Sequence, residues 1–359
     1  MGAPLVQYQA GLMEVLVTSG SLSQGEAQPR STVGARWVES FGKNWKNRSK
    51  EPITPRTDGL WALPREKERL VISPTFADFP LNVDVRSIRI PLELKQLPGN
   101  SNSMSANPVF VFVPGAWHTA DSFDVVRDLM HNRGLATEAI STPSVGAFPP
   151  DKGLHADIEH THAVLKEMVE AGCQIVLVNH SYGGMVGAGA VKGLGYTERR
   201  KAGLPGGVIM VVWMAAFVTP KGKTLMDMLG GKHAPWMVIN SPDDGYCWSS
   251  DQETIFYNDM SPEAQQEAIS KLKPHTYRSF NEPATHEPWR EMPSMYMFFD
   301  KDGAISLAVQ ENFAQTLGNP VTYHVDASHS AFLSVPEKVI EGLEIALKEG
   351  RQQSGIAVN

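Results

Sequence analysis

From Pro108 onward, short unbroken apolar runs alternate with longer stretches in which apolar side chains recur every third or fourth position. Val109–Val113, Gln174–Val178, Val208–Met214, Ser294–Phe299 and Val321–Val325 have the length and β-branched or aromatic content of strands, and a weaker strand is expected near Ala136–Ile140. The stretches between predict helices. Asp121–Asn132 lines up Phe123, Val126, Leu129 and Met130 and stops at Gly134, and His155–Ala171 turns Ile158, Leu165, Met168 and Val169 inward. Two more helices are expected over Ile305–Leu317 and Pro336–Lys348. Apolar strands separated by helices in this rhythm mean an α/β fold, with a mostly parallel sheet covered by helices on both faces.

The rhythm fails in two places. Thr219–Glu291 carries helices such as Pro262–Leu272 and scattered Trp, Met and Tyr, but no strand-like apolar run. Inserted after a core strand, it is expected to form a helical cap over a pocket mouth, at about 219–291. Residues 1–104 are rich in Pro, Ser, Arg and Lys from Gln28 to Arg65. Val83–Ile90 there alternates like a strand before the polar linker Pro98–Ser103. This N-terminal extension is an appended subdomain, a hairpin on the edge of the main sheet, or a tail. The expected organisation is therefore extension 1–104, catalytic domain 105–350 and C-terminal tail 351–359.

Candidate chemistry falls at the strand ends. The run from Gln174 breaks through Asn179-His180-Ser181-Tyr182-Gly183-Gly184 into the small residues Met185–Ala190. A strand that breaks sharply at a serine and restarts as a helix is the setting of a nucleophile elbow. Asp302 follows the strand ending at Phe299, and His329 follows the strand ending at Val325. The carboxyl ends of parallel strands are where such sheets place their sites. A serine hydroxyl needs a base that is neutral near pH 7, which imidazole is, and a carboxylate orients that imidazole and stabilises it once protonated. Asp300 is the rival acid and is assigned to capping the turn. An oxyanion needs two donors: the backbone N–H of Tyr182 and, from the turn after Val113, that of Ala116. His118, two residues further on, is given a supporting role because the trio already contains a base.

Val113-Pro114-Gly115-Ala116-Trp117-His118, Asn179-His180-Ser181-Tyr182-Gly183-Gly184, Asp302-Gly303-Ala304-Ile305 and Ser328-His329-Ser330-Ala331-Phe332 together resemble the α/β-hydrolase superfamily. They are most similar to the branch of plant methylesterases and hydroxynitrile lyases with their microbial relatives, and Phe256-Tyr257-Asn258-Asp259 resembles the same branch. Pro114-Gly115 stands where that branch usually has His-Gly, and Asn179 where it usually has Gly. The resemblance implies an enzyme without metal or cofactor. Its partner would be a small hydrophobic ester or lactone, cleaved through an acyl-Ser181 intermediate. A lyase, cyclase or carbon–carbon bond hydrolase using His329 as acid–base stays open, as does a non-catalytic ligand receptor. Trp117, His118, Trp236, Phe256 and Tyr257 are the candidate pocket residues, with Trp248 and Trp289 as further aromatic residues of the insertion.

The net charge of −7 provides no field to attract nucleic acid or an anionic membrane. Cys173 and Cys247 are too few for a disulfide framework, and Cys173 is expected to be a small buried hydrophobe. Glu198-Arg199-Arg200-Lys201 is expected to be a solvated helix end. No basic segment followed by an apolar one opens the chain, and no run approaches the roughly 20 apolar residues of a membrane span, so a cytoplasmic location is expected.

All of these candidate groups lie beyond Pro108. A chain begun at Met104 is therefore expected to keep its kcat on a small soluble ester, with any loss confined to Tm. A folded 104–359 protein whose kcat/KM falls more than about tenfold, roughly 1.4 kcal/mol of transition-state stabilisation, would place part of the extension in the site.

Overall fold

The computed structural model describes residues 108–239 and 244–357, together with the backbone of short strands before them. The chain divides into two compact units, Met1–Ser101 and Asn102–Asn359. In the first, Leu5–Tyr8 pairs antiparallel with Met13–Leu16 and parallel with Arg69–Val71, and Thr54–Pro55 pairs with Trp61–Ala62. The strand expected at Val83–Ile90 lies outside the described residues.

The second unit is built on six strands: β1 (Pro108–Val113), β2 (Ala136–Ala139), β3 (Gln174–His180), β4 (Gly207–Met214), β5 (Ser294–Phe299) and β6 (Val321–Val325). Their order across the sheet is β6-β5-β4-β3-β1-β2, and every pairing is parallel. Central β3, β4 and β5 are buried at every residue, which is why they read as unbroken apolar runs. The edge strands β2 and β6 alternate in burial, and β2 is the weakest pattern in the sequence.

Side chains alternate between two cores. Val111, Ile175, Val211 and Tyr296 face one cluster, shared with helix α2 (Leu154–Glu170) through Leu165 and Val169 and with α3 (Gly183–Ala190) through Met185 and Val186. Phe110, Val176, Val212 and Met297 face the other. That side is covered by α1 (Asp124–Asn132) through Val126 and Met130, and by the last helix (Pro336–Gln353) through Val339, Ile340 and Leu343. The sheet is thus covered on both faces, as the rhythm predicts. The last helix runs beyond the expected Lys348 and into the segment read as a tail.

Segment 219–291 contains helix α4 (Pro262–Lys271) and an antiparallel ribbon of Met237–Val238, Tyr246–Ser249 and His275–Thr276. Its strands of two, four and two residues leave no readable period in the sequence, which predicts no strand here. Arg199 corrects the reading of a wholly solvated cluster: it is buried, and its guanidinium donates twice to Pro205 O, at 2.9 and 3.1 Å. Cys173 is half-buried rather than buried, with desolvation still raising its thiol pKa. Among the described residues no helix is long and apolar enough to cross a membrane.

α3 follows β3 after a turn of only two residues, Ser181 and Tyr182, and packs directly on neighbouring strand ends. A Cβ added at Gly183 would lie 2.5 Å from Val113 O, and one at Gly184 would lie 2.3 Å from Phe217 O. Both obstacles are backbone and have nowhere to go. Gly184→Ala is therefore expected to destabilise the domain by about 1–3 kcal/mol, the usual range for overpacking, read as a lower urea midpoint at unchanged slope. An unchanged midpoint would mean that α3 is free to shift.

Candidate active site

The turn between β3 and α3 holds Ser181 at φ +51°, a left-handed conformation that a non-glycine residue adopts only under constraint. The serine peptide is tied on both sides: Ser181 O accepts from Gly184 N at 3.0 Å and from Phe217 N at 3.1 Å. The turn after β1 presses against it. A Cβ on Gly115 would lie 2.9 Å from Ser181 Cβ and 3.0 Å from His180 Nδ1. Ala116 N–H and Tyr182 N–H, the two expected donors, make no hydrogen bond to a protein acceptor among the described residues. Asn179 is fully buried beneath α3, where a Cβ on Gly187 would strike its amide, and neither of its polar side-chain atoms has a partner among the described residues.

Asp302 and His329 meet at the ends of β5 and β6. His329 Nδ1 donates to Asp302 Oδ2 at 2.6 Å, with both side chains almost wholly buried. The other oxygen, Oδ1, accepts from Ala304 N at 2.7 Å and Ile305 N at 2.8 Å. Asp302 therefore also caps the turn, the role expected of Asp300. Asp300 instead reaches outward to His324 Nδ1 at 2.8 Å, because its side chain leaves the strand on the solvent side. Behind the acid, fully buried Gln310 accepts from Phe299 N at 3.0 Å and donates to Phe299 O and Ile305 O at 2.9 and 2.8 Å.

His180 joins the serine turn to His329. Its Nε2 donates to His329 O at 2.8 Å, and the two rings lie 4.5 Å apart. Burial holds the His180 imidazole well below its usual pKa, helped by the proximity of His329 and His118. His118 Nδ1 donates to Ala116 O at 2.8 Å, which leaves Nε2 to accept from Tyr257 Oη at 2.9 Å. Burial lowers its pKa to about 4, against a smaller opposing effect of the Ala116 bond. Burial also lowers His275 to about 3.

The expected pocket residues form two groups. Trp117, itself at φ +64°, packs its ring within 5.5 Å of Trp236, 5.8 Å of Phe256 and 5.7 Å of Phe280, while Phe256 lies 5.7 Å from the His329 ring. His118 and Tyr257 instead border an open cavity of about 220 Å³, whose lining mixes Val125, Met260 and Leu333 with Asp121, Glu267 and Lys271. Neither Ser181 nor His329 lines that cavity. Trp289 packs on Trp213 rather than in the aromatic group, and Trp248 is 42% exposed.

Several residues support the site through contacts that the sequence alone does not give. Asn258 Nδ2 donates to Lys301 O at 3.0 Å, and Asp259 Oδ2 accepts from Ser328 N at 2.9 Å and Ser334 Oγ at 2.8 Å, so Phe256–Asp259 touches the loops of His118, Asp302 and His329. Asp157, Ser144 and His275 form a buried polar group beside Tyr182. Asp157 had one sequence signal: it lies in register with Leu154, Thr161 and Leu165 on the buried face of α2. Among the described residues no three His, Cys, Asp or Glu side chains converge as metal ligands.

A profile of the family described as "Alpha/beta hydrolase family" matches residues 110–341. The chain is 29% identical over 250 residues to a protein of Aspergillus novofumigatus described as "Alpha/beta hydrolase nvfD", covering 67% of this chain and 97% of that one. It superimposes on the crystal structure of polyneuridine aldehyde esterase with a TM-score of 0.56 at 17% identity, over 67% of this chain and 99% of the other. Tomato methylketone synthase I, complexed with 2-tridecanone, gives a TM-score of 0.55 at 15% identity, over 68% and 99% of the two chains.

Removal of the Gln310 amide strands the N–H and C=O of Phe299 inside the protein. Gln310→Ala is expected to cost about 2–4 kcal/mol, more than truncation of an exposed glutamine, because buried polar groups lose their partners. Chemical denaturation measures this, and a change under about 0.5 kcal/mol would mean that the carbonyls find other donors.

Proposed function

The chain belongs to the alpha/beta hydrolase family, and from that membership we propose that it is a serine hydrolase cleaving a carboxylic ester, or a lactone, of a small hydrophobic molecule. The observation that carries this reading is the buried Asp302–His329 hydrogen bond, joined through His180 to a serine in left-handed conformation.

In this mechanism Ser181 Oγ attacks the carbonyl carbon while His329 Nε2 takes its proton. Asp302 stabilises the imidazolium and, by receiving Nδ1–H, keeps Nε2 available. The negative charge on the former carbonyl oxygen is met by the N–H groups of Ala116 and Tyr182, each worth about 3 kcal/mol in comparable sites. Collapse releases the alcohol, which carries away the proton held by His329. Water then attacks acyl-Ser181 by the same route in reverse.

The aromatic group of Trp117, Trp236 and Phe256 beside His329 supports an apolar substrate. The 220 Å³ cavity next to His118 would take a part of the molecule remote from the ester. An apolar chain of the kind bound in the tomato neighbour belongs to the class that the aromatic group suits. The match to a hydrolase family, and to a relative itself described as a hydrolase, favours ester hydrolysis over lyase chemistry.

The test is a hydrolysis screen over aryl, alkyl and lactone esters beside the Ser181→Ala protein, with intact mass after a serine-directed phosphonate. Turnover in the wild type, a single adduct on Ser181, and a kcat at least a thousandfold lower in Ser181→Ala are expected. A folded Ser181→Ala protein that keeps more than about a tenth of wild-type kcat would exclude an acyl-serine route and favour His329 acting alone as acid–base.

A further inference from the structure

Asp157 is a carboxylate with no exposure, and the proposed reaction gives it no part. It sits in the first turns of α2, the end of a helix that favours negative charge. Three donors converge on it. Ser144 N and Ser144 Oγ lie 2.8 Å from Oδ1 and 2.5 Å from Oδ2, and Tyr182 Oη lies 2.7 Å from Oδ2. Because Ser144 Oγ–H is committed to Asp157, His275 Nε2 donates to Ser144 Oγ at 2.7 Å. Every partner can thus present a hydrogen, an arrangement that suits an ionised carboxylate.

Tyr182 is also fully buried, with its ring 4.8 Å from His275 and 5.9 Å from Phe280, both in the insertion. Its main chain begins α3 beside Ser181, and its N–H is one of the two unengaged donors at the serine turn. The hydroxyl is thus the far end of a rigid lever whose near end carries the N–H.

We propose that Asp157 is a positioning residue for catalysis: by gripping the Tyr182 hydroxyl it fixes the N–H of Tyr182 on the developing oxyanion, an inference that rests on the serine-hydrolase reading above. The requirement is geometric, since an oxyanion donor works only within about 2.7–3.1 Å of the oxygen it stabilises.

Stability alone does not account for the carboxylate. Burial raises its pKa to about 6, against the pull of the Ser144 and Tyr182 bonds. A folded-state pKa above the unfolded value of about 3.9 means that the native state binds the proton more tightly. The group's contribution to stability therefore declines as pH rises from about 4 through 6, so Asp157 is ionised at a net cost at neutral pH. The other titratable groups facing it are Tyr182 from the serine turn and, from the insertion, His275 through Ser144 and Glu282, which is itself paired with Arg278 and His155. Burial holds Tyr182 well above this range and lowers His275 to about 3, beneath it.

Tyr182→Phe and Asp157→Asn test the proposal: the first removes the gripped hydroxyl, the second the charge that grips it and half of its acceptors, and both leave the Tyr182 backbone in place. Expected is a fall in kcat of tenfold or more with KM within about twofold, and a parallel loss of affinity for an alkyl boronic acid, which forms a tetrahedral adduct on the serine. The double variant should be no worse than the worse single one, because both break the same bond. On the acid side, log kcat/KM of the wild type should steepen towards a slope of two, and that of either variant should keep a slope of one. Folded Tyr182→Phe with kcat and boronate affinity within twofold of wild type overturns the proposal, and so do fully additive losses. If Asp157→Asn does not fold, Tyr182→Phe decides alone. Failure of the underlying reading is separate: Ser181→Ala would stay active, or wild-type protein would not bind the boronate, and the proposal would fall with it.

Discussion

The site depends on how closely one turn is held. Ser181 occupies a backbone conformation that costs about 1–3 kcal/mol, and such strain persists only where the surroundings over-determine it. Here Gly115 lets the turn after β1 touch Ser181 from one side, while Gly183 and Gly184 let α3 sit against the carbonyls of Val113 and Phe217 on the other. Glycines at these positions exchange side-chain volume for backbone contact. Without that contact, neither Ala116 N–H nor Tyr182 N–H would be held at the serine. Asn179 belongs to the same packing problem. Its amide, buried without a partner among the described residues, occupies the space that Gly187 leaves.

How much of this is legible in the sequence follows from how local each feature is. The central strands are apolar at every position because both faces are covered, so β3, β4 and β5 declare themselves without tertiary information. Ser181, Asp302 and His329 are readable because strand ends can be located from the pattern, and the chemistry restricts which residue types stand there. Asp302 doubling as a turn cap, with Asp300 turned to His324, depends on the direction of two side chains two residues apart, which no periodicity encodes. The supporting groups are further from view. Ser144 and His275 bond across 131 positions, and Gln310 acts only through the loop folded over it. The ribbon in the insertion is made of strands that leave no readable period.

Four imidazoles crowd the serine turn, and their hydrogen-bond partners set them apart. His118, His180 and His275 bond directly to a carbonyl, a tyrosine hydroxyl or a serine hydroxyl, and burial depresses the basicity of all three. His329 alone among them has a carboxylate as its immediate partner. In the proposed reaction His329 is the ring that takes the serine's proton, and the three neighbouring rings are committed to other partners. Their tautomers are set by the same bonds, so each also serves as a fixed donor: His118 to Ala116 O, and His180 to His329 O.

Four consecutive residues of the insertion, Phe256 to Asp259, meet the loops of His118, Asp302 and His329, one side chain after another. This makes the insertion a poor candidate for wholesale exchange. A segment transplanted from a relative without those four side chains would leave Lys301 O, Ser328 N and the His118 ring without their partners, whatever its own pocket offered. Ligand preference in this protein is therefore more safely altered by point changes elsewhere in the insertion than by exchange of a segment containing this tetrapeptide.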